Sequence, residues 1–285
     1  MHSPPLSPLI SASALRARLS REEAITLLDC RFNLVDVLAG QAAFGQGHIP
    51  GAVYAHLDFD LSGPKTGQNG RHPLPTRDAF AQTLTRWGVQ PGRTMVCYDA
   101  QGGMFAARAW WMLHWAGHTD VQVLDGGWAA WQTSADDATA AGAPADAPLP
   151  DPALPSIAVV STADVLANLE ASAPFTLLDA RAPDRFRGEN ETLDPVGGHI
   201  PGALNRFFQQ NLQADGRFKP AAQLRAEFTQ ALGTVPAEQV VHQCGSGVTA
   251  CHNLLAMTVA GLPGSRLYAG SWSEWCSDPS RPAER

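Results

Sequence analysis

The chain contains two copies of one sequence pattern, and this duplication constrains its fold more than any other feature. Residues 47–52 and 198–203 both read GHIPGA. Residues 27–31 (LLDCR) return as 177–181 (LLDAR), and residues 126–131 (GGWAAW) return as 270–275 (GSWSEW). The copies follow the same order at a separation of 144 to 151 residues, whereas solenoid repeats have periods of roughly 20–50 residues. The sequence therefore predicts a duplicated domain.

The composition fits two globular domains joined by a linker. The 285 residues are 45% hydrophobic, enough for two cores of ordinary size. Residues 133–156 are rich in Ala, Pro and Asp and have little to bury, as in extended linkers. We predict a first domain at 1–132, a linker at 133–156 and a second domain at 157–285.

Charge and cysteine usage argue against several classes of protein. The net charge of -7, without a basic stripe, argues against nucleic-acid binding. No apolar run approaches about 18 residues, and the first residues lack the pattern of a secretory signal, so no membrane association is expected. Five cysteines without a CxxC pair favour a reducing compartment over a disulfide scaffold. We expect a cytoplasmic protein.

Each copy alternates short apolar runs with helical patterns. The predicted strands are residues 94–98, 121–124, 175–179, 239–243 and 267–268, and the predicted helices are residues 106–115, 222–232 and 249–260. This alternation predicts α/β domains with mainly parallel sheets flanked by helices. In such sheets functional residues collect at the carboxyl ends of the strands.

One predicted strand leads directly into the segment CGSGVT at residues 244–249. Gly245 and Gly247 allow the backbone to curl so that successive N–H groups point inward. The following helix start adds partial positive charge, and together these features favour the thiolate form of Cys244. From spacing alone, a buried structural cysteine beside a tight turn is the alternative.

The CGSGVT segment, the GHIPGA motifs and GSWSEW together resemble the two-domain sulfurtransferases of the rhodanese superfamily, and are most similar to the 3-mercaptopyruvate sulfurtransferase type. The resemblance covers nearly the whole chain. It implies two rhodanese domains, each with a five-stranded, mainly parallel sheet. It also implies that Cys244 takes sulfur from a small anionic donor, becomes a persulfide, and passes the sulfur to cyanide, a small thiol or thioredoxin. No metal or organic cofactor is implied.

The first copy has an aspartate where the second has its cysteine. Asp99 follows the strand that matches the one before Cys244, and a carboxylate cannot carry a persulfide. We therefore expect an inactive first domain, as in the family, with Cys97 as a packing residue.

The family resemblance assigns the donor site to an arginine. Arg185, in the segment RFRG, matches the family arginine that binds the anionic donor, and Arg187 is a candidate helper. A solvated pair of arginines is the alternative. Mercaptopyruvate enzymes usually carry another arginine in the segment that matches residues 189–197, but this chain has none there. We predict that 3-mercaptopyruvate is the better donor, with a high KM, and that thiosulfate is the alternative.

The remaining loop residues have roles implied by the resemblance. Ser246 matches a serine proposed to act with an aspartate and a histidine from the first domain, here Asp60 and His72, as a relay that polarises the donor carbonyl or moves a proton. The alternative is that Ser246 only forms a hydrogen bond within the loop and that His72 is a turn residue. Val248 and Thr249 complete the loop, and Thr249 is expected to cap the next helix or donate to the thiolate.

Other classes fit the loop less well. A cysteine-dependent phosphatase needs an arginine six residues after the cysteine, where this chain has Ala250. A zinc site from His242, Cys244, Cys251 and His252 matches no common ligand spacing. The non-enzyme alternative is a persulfide carrier or redox-sensing module that hands sulfur only to a protein partner.

Overall fold

A computed structural model describes residues 7–90, 93–134, 159–171 and 174–285. The chain divides into two compact units: unit 1 comprises Met1–Leu61, Thr76–Leu154 and Leu212–Lys219, and unit 2 comprises Ser62–Pro75, Pro155–Asn211 and Pro220–Arg285. Each half of the sequence thus contributes one segment to the other half's unit. The linker predicted at 133–156 lies almost entirely outside the described residues, so the domain boundaries stay a prediction.

Unit 1 contains a five-stranded sheet in the order β1-β5-β4-β2-β3, and all its strand pairs are parallel. Its elements are β1 (Leu9–Ile10), α1 (Ala12–Leu19), β2 (Ile25–Asp29), α2 (Ala39–Gln46), β3 (Val53–Tyr54), α3 (Arg77–Arg86), β4 (Thr94–Tyr98), α4 (Ala106–Trp115), β5 (Val121–Leu124) and α5 (Gly127–Thr133). Every residue of β4 is buried, as expected for a central parallel strand covered by helices on both faces.

Unit 2 repeats this plan with four strands in the order β7-β6-β8-β9, again all parallel. Its elements are α6 (Thr162–Asn168), β6 (Thr176–Asp179), α7 (Pro183–Phe186), β7 (Leu204–Asn205), α8 (Ala221–Leu232), β8 (Val240–Gln243), α9 (Thr249–Val259), β9 (Arg266–Leu267) and α10 (Ser271–Trp275). The expected fifth strand is reduced to one parallel bridge between Val159 and Leu267. A single paired residue does not make a strand, and the residues before Val159 lie outside the described part.

The predicted elements agree closely with this architecture. The α/β class with parallel sheets is confirmed, and α4, β4 and β5 have the predicted bounds. β6, β8, α8 and α9 differ by one residue at one end, and β9 is shifted by one residue. In α8, Leu224, Phe228 and Leu232 are buried at the helical spacing that predicted it. No helix among the described residues is long and apolar enough to cross a membrane.

Candidate active site

Cys244 lies at the carboxyl edge of the unit 2 sheet, directly after the last residue of β8. Its backbone is held by the start of α10: the N–H of Cys244 donates to Oγ of Ser271 at 3.1 Å, and its carbonyl accepts the N–H of Trp272 at 2.9 Å. The cysteine is only 2% exposed. The sulfur is therefore fixed at a strand end and shielded from bulk water.

The loop after Cys244 depends on Gly247. This residue has a φ of +75°, and a Cβ there would lie 2.3 Å from the carbonyl oxygen of Ala269, so only glycine fits without a shift of the backbone. Its N–H points to Sγ of Cys244 at 3.2 Å. The loop thus directs a backbone donor at the sulfur, as the glycine pattern predicts.

Of the two roles expected for Thr249, the capping role is wrong. Helix α9 begins at Thr249 itself, the preceding cap position is Val248, and no side chain caps the helix there. A residue that is already the first of the helix cannot be its cap. Whether Thr249 donates to the thiolate stays a prediction.

Ser246 and His72 are brought together, whereas Asp60 belongs to the other unit. The segment Ser62–Pro75 folds with unit 2, and Nδ1 of His72 lies 2.7 Å from Oγ of Ser246 with both residues buried. Asp60 lies in unit 1, where it accepts the N–H of His56 at 2.8 Å and pairs with Arg86 at 2.6 Å. The role of Asp60 in a relay stays a prediction.

Arg185 is anchored by two carboxylates from the arginine-free segment. Its guanidinium donates from Nε and Nη2 to both carboxylate oxygens of Glu191, at 2.8 to 3.2 Å. Nη2 also lies 3.4 Å from Oδ2 of Asp194. Burial raises the pKa of Asp194, and its bond to Arg71 only partly opposes that rise. Burial alone would also raise the pKa of Glu191, but the hydrogen bonds from Arg185 outweigh it and the pKa lies below its ordinary value.

Arg187 has different surroundings. Its side chain is 52% exposed and forms a two-point pair with Glu189 at 2.8 Å. Its part in donor binding stays a prediction.

Arg71 was missed by sequence reasoning, although it directly precedes His72. Its Nη1 pairs with Oδ1 of Asp194, and its Nη2 lies 2.7 Å from where a Cβ on Gly245 would be. Its position next to His72 was the sequence signal that could have identified it, because a segment that brings His72 to the loop also brings Arg71.

Ser271 was also missed. It has a φ of +54°, which is uncommon for a residue with a side chain, and its Oγ accepts the N–H of Cys244 and donates to the carbonyl of Tyr268. The matching residue of the first copy is Gly127, at a φ of +55°. The sequence signal that could have identified Ser271 was the replacement of this glycine by serine in the second copy.

Residues common to both copies make the same contacts in each unit. Arg181 pairs with Asp179 and donates to the carbonyl of Gly198 at 2.7 Å, and Arg31 of unit 1 makes the matching bonds to Asp29 and Gly47. These buried pairs brace the GHIPGA turn. Because unit 1 makes them too, they do not depend on the cysteine.

The described residues contain no group of three or more His, Cys, Asp or Glu side chains arranged to hold a metal ion. Of the residues weighed as zinc ligands, His242 lies 3.2 Å from both Sδ of Met257 and Oγ of Ser265. Sγ of Cys251 donates to the carbonyl of Gly247 at 3.3 Å.

Comparison with known proteins identifies the family. Residues 11–134 and 161–278 each match the rhodanese-like domain. A Pseudomonas aeruginosa protein named "Probable 3-mercaptopyruvate sulfurtransferase" is 48% identical over 96% of each chain, and an Azotobacter vinelandii protein named "Thiosulfate sulfurtransferase" is 32% identical over 97% of this chain and 96% of that one. The solved structure of SseA, a 3-mercaptopyruvate sulfurtransferase from Escherichia coli, matches with a TM-score of 0.73 and 32% identity over 94% of this chain and 99% of that one. The chain belongs to the rhodanese-like family.

Proposed function

We propose that the chain is a sulfurtransferase that moves sulfur from 3-mercaptopyruvate through a persulfide on Cys244 to a thiophilic acceptor. The observation that carries the proposal is the place of Cys244: it follows a parallel strand, is almost fully buried, and has the N–H of Gly247 directed at its sulfur. The names of the relatives over nearly the whole chain support the same activity.

In the first half-reaction the Cys244 thiolate attacks the sulfur of 3-mercaptopyruvate. An S–S bond forms, the C–S bond breaks, and its electron pair stays on the three-carbon product as an enolate. A proton then converts the enolate to pyruvate. The Ser246 hydroxyl, backed by His72 at 2.7 Å, is the donor for the negative charge that develops on the enolate oxygen.

In the second half-reaction an acceptor attacks the outer sulfur of the persulfide. The S–S bond breaks, its electrons return to Cys244 as the thiolate, and cyanide leaves as thiocyanate. A small thiol or thioredoxin attacks the same outer sulfur as its thiolate and leaves as a persulfide. The N–H of Gly247 stabilises the anionic sulfur before and after transfer.

The test is a mass measurement joined to steady-state kinetics. Incubation with 3-mercaptopyruvate is expected to add one sulfur atom to the protein, and Cys244→Ser is expected to abolish both that gain and turnover. The control is Cys97→Ser, because Cys97 lies inside β4 of unit 1 and should leave most activity. Substantial turnover by Cys244→Ser would exclude the persulfide mechanism.

A second candidate donor is thiosulfate. The guanidinium groups of Arg71 and Arg185 near Gly245 offer positive charge to a dianion, and one relative carries the thiosulfate name. Values of kcat/KM for both donors, with cyanide as acceptor, decide between them. Repeated turnover with either donor also separates an enzyme from a persulfide carrier, which would stop after one sulfur.

A cytoplasmic location belongs to the same proposal. All five cysteines are free thiols, as expected in a reducing compartment.

A further inference from the structure

Arg185 is anchored by a loop of unit 2 whose two ends are in contact. Residues 188–198, which we call the anchor loop, carry Glu191, and both carboxylate oxygens of Glu191 accept hydrogen bonds from the Arg185 guanidinium. A Cβ on Gly188 would lie 2.9 Å from the backbone nitrogen of Gly198. The base of the loop is therefore closed, and a movement at the base would displace Glu191 and its bonds to Arg185.

The backbone of the anchor loop also holds Glu191. The N–H groups of Leu193 and Asp194 donate to Oε1 of Glu191 at 2.9 and 3.2 Å. The same oxygen accepts a hydrogen bond from Nη2 of Arg185 at 2.8 Å. The two amide hydrogens therefore report whether the loop keeps the arrangement that anchors Arg185.

A second segment of unit 2 covers the base of the anchor loop. It comprises residues 282–285, which we call the closing segment. Glu284 and His199 form an antiparallel bridge in which the N–H of each donates to the carbonyl of the other, at 2.9 and 2.8 Å. Cγ of Arg285 lies 3.3 Å from the Cβ positions of the glycines at both ends of the loop. The closing segment thus contacts the two ends at once.

Both sides of this bridge are attached to other parts of unit 2. Nε1 of the fully buried Trp275 donates to the carbonyl of Pro282 at 2.7 Å, which fixes the closing segment to the core. Nδ1 of His199 lies 2.9 Å from the carbonyl oxygen of Phe186, and the two rings stack at 3.8 Å. Phe186 directly follows Arg185 in α7. The bridge is therefore joined to the helix that carries Arg185 as well as to the loop that anchors it.

We propose that Glu284 and His199 are positioning residues for donor binding. The bridge between them closes the anchor loop and so keeps Glu191 and Arg185 in the arrangement that receives the sulfur donor, without touching the donor itself. This inference rests on the sulfurtransferase function proposed for the site. Opening of the bridge reduces the fraction of molecules that are ready to bind, and the apparent affinity falls with that fraction. The loss therefore raises KM and leaves kcat nearly unchanged.

Glu284→Pro tests the bridge directly. Proline has no N–H, so the bond to the carbonyl of His199 is lost, which shifts the balance between open and closed loop about two- to ten-fold. The amide hydrogens of Leu193 and Asp194 should exchange with deuterium faster by about that factor, and the KM for 3-mercaptopyruvate should rise about two-fold or more with kcat unchanged. The control is Ala283→Pro. Neighbouring N–H groups of a strand point to opposite edges, so this variant keeps both bonds of the bridge and should leave both readouts unchanged.

Each outcome decides the proposal. Faster exchange at Leu193 and Asp194 together with a raised KM supports it. Unchanged exchange at these two amides in a natively folded Glu284→Pro protein overturns it, and so does faster exchange confined to His199. Faster exchange with an unchanged KM, or a fall in kcat alone, also overturns it. If the wild type turns over neither donor, the sulfurtransferase function fails, while the exchange rates still decide whether the bridge closes the loop.

A second variant replaces Glu284→Pro if that protein does not fold. In Gly198→Ala the added Cβ would lie 2.3 Å from the carbonyl oxygen of Glu284, so the closing segment has to move away. The control is Gly47→Ala, at the matching position of unit 1. Gly47 has an extended φ of 174°, and the nearest atom to its added Cβ belongs to Trp128 at 3.9 Å. Gly198→Ala must give the faster exchange and the raised KM, and equal values in the two variants overturn the proposal.

Discussion

Replacement of Gly247 by alanine tests how the loop supports the cysteine. Two costs follow from the structure. An L-residue in the left-handed region costs about 1–2 kcal/mol, partly offset by about 0.4–1 kcal/mol from the less flexible unfolded chain. The new Cβ would also lie 2.3 Å from the carbonyl oxygen of Ala269, well inside the 3.0 Å that real Cβ contacts respect.

The contact between the new Cβ and Ala269 also affects the active site. Ala269 leads into Gly270 and Ser271, and Ser271 holds the N–H of Cys244. A shift of Ala269 therefore displaces the cysteine as well as the Gly247 N–H that donates to its sulfur. We expect Gly247→Ala to lower the free energy of unfolding by roughly 2–4 kcal/mol. The loss of one charge-assisted hydrogen bond should lower kcat/KM by about ten-fold or more.

Gly202→Ala is the matched control. Gly202 also lies in unit 2 and has a φ of +73°, but nothing stands within 4 Å of the added Cβ. This variant should lose about 1 kcal/mol or less and keep its activity. Denaturant unfolding measures the loss of stability. The rate at which iodoacetamide alkylates Cys244 measures the displacement of the cysteine, and sulfur transfer to cyanide measures kcat/KM. Equal stability and equal kcat/KM in the two variants would refute the reasoning.

Further predictions concern the relay, a buried histidine and the first copy. Ser246→Ala and His72→Gln should each lower kcat with 3-mercaptopyruvate about 10- to 100-fold, and the double variant should lose little more; additive losses would show that the two act separately. Burial lowers the pKa of His242 from 6.5 to about 3, so the unfolded chain takes up a proton that the folded chain does not. The free energy of unfolding should therefore be about 2 kcal/mol lower at pH 5 than at pH 7.5, and an equal pH dependence in His242→Gln would contradict this. Asp99→Asn should destabilise unit 1 by about 1–3 kcal/mol and leave the chemistry of Cys244 intact, as shown by thermal unfolding and alkylation.

Local pattern was sufficient to predict the strands and the helices next to the site. The strand before Cys244, the glycine turn and α9 are all encoded within about twenty consecutive residues, so periodicity and turn chemistry located them. The four-stranded sheet of unit 2 was not predicted, because the pairing of Val159 with β9 depends on tertiary context rather than on its own sequence.

The two arginines beside Gly245 were only half predictable. Arg185 lies near the motifs of the second copy and was found through them. Arg71 lies 123 residues before Asp194, its partner, and no periodicity links the two. A contact of this kind depends on the return of Ser62–Pro75 to unit 2, which local sequence does not specify.

The two copies show how one backbone arrangement serves two purposes. In unit 1 the Asp99 carboxylate accepts the backbone N–H groups of Gln101, Gly103, Phe105 and Ala106 at 2.8 to 2.9 Å. A carboxylate has enough lone pairs for all four hydrogen bonds, so these N–H donors are all satisfied. The loop of unit 1 is therefore held in place by its own aspartate. In unit 2 the same strand end carries a thiol, and the N–H of Gly247 is directed at its sulfur. The difference between an aspartate and a cysteine at the strand end therefore separates a structural loop from a loop suited to persulfide chemistry.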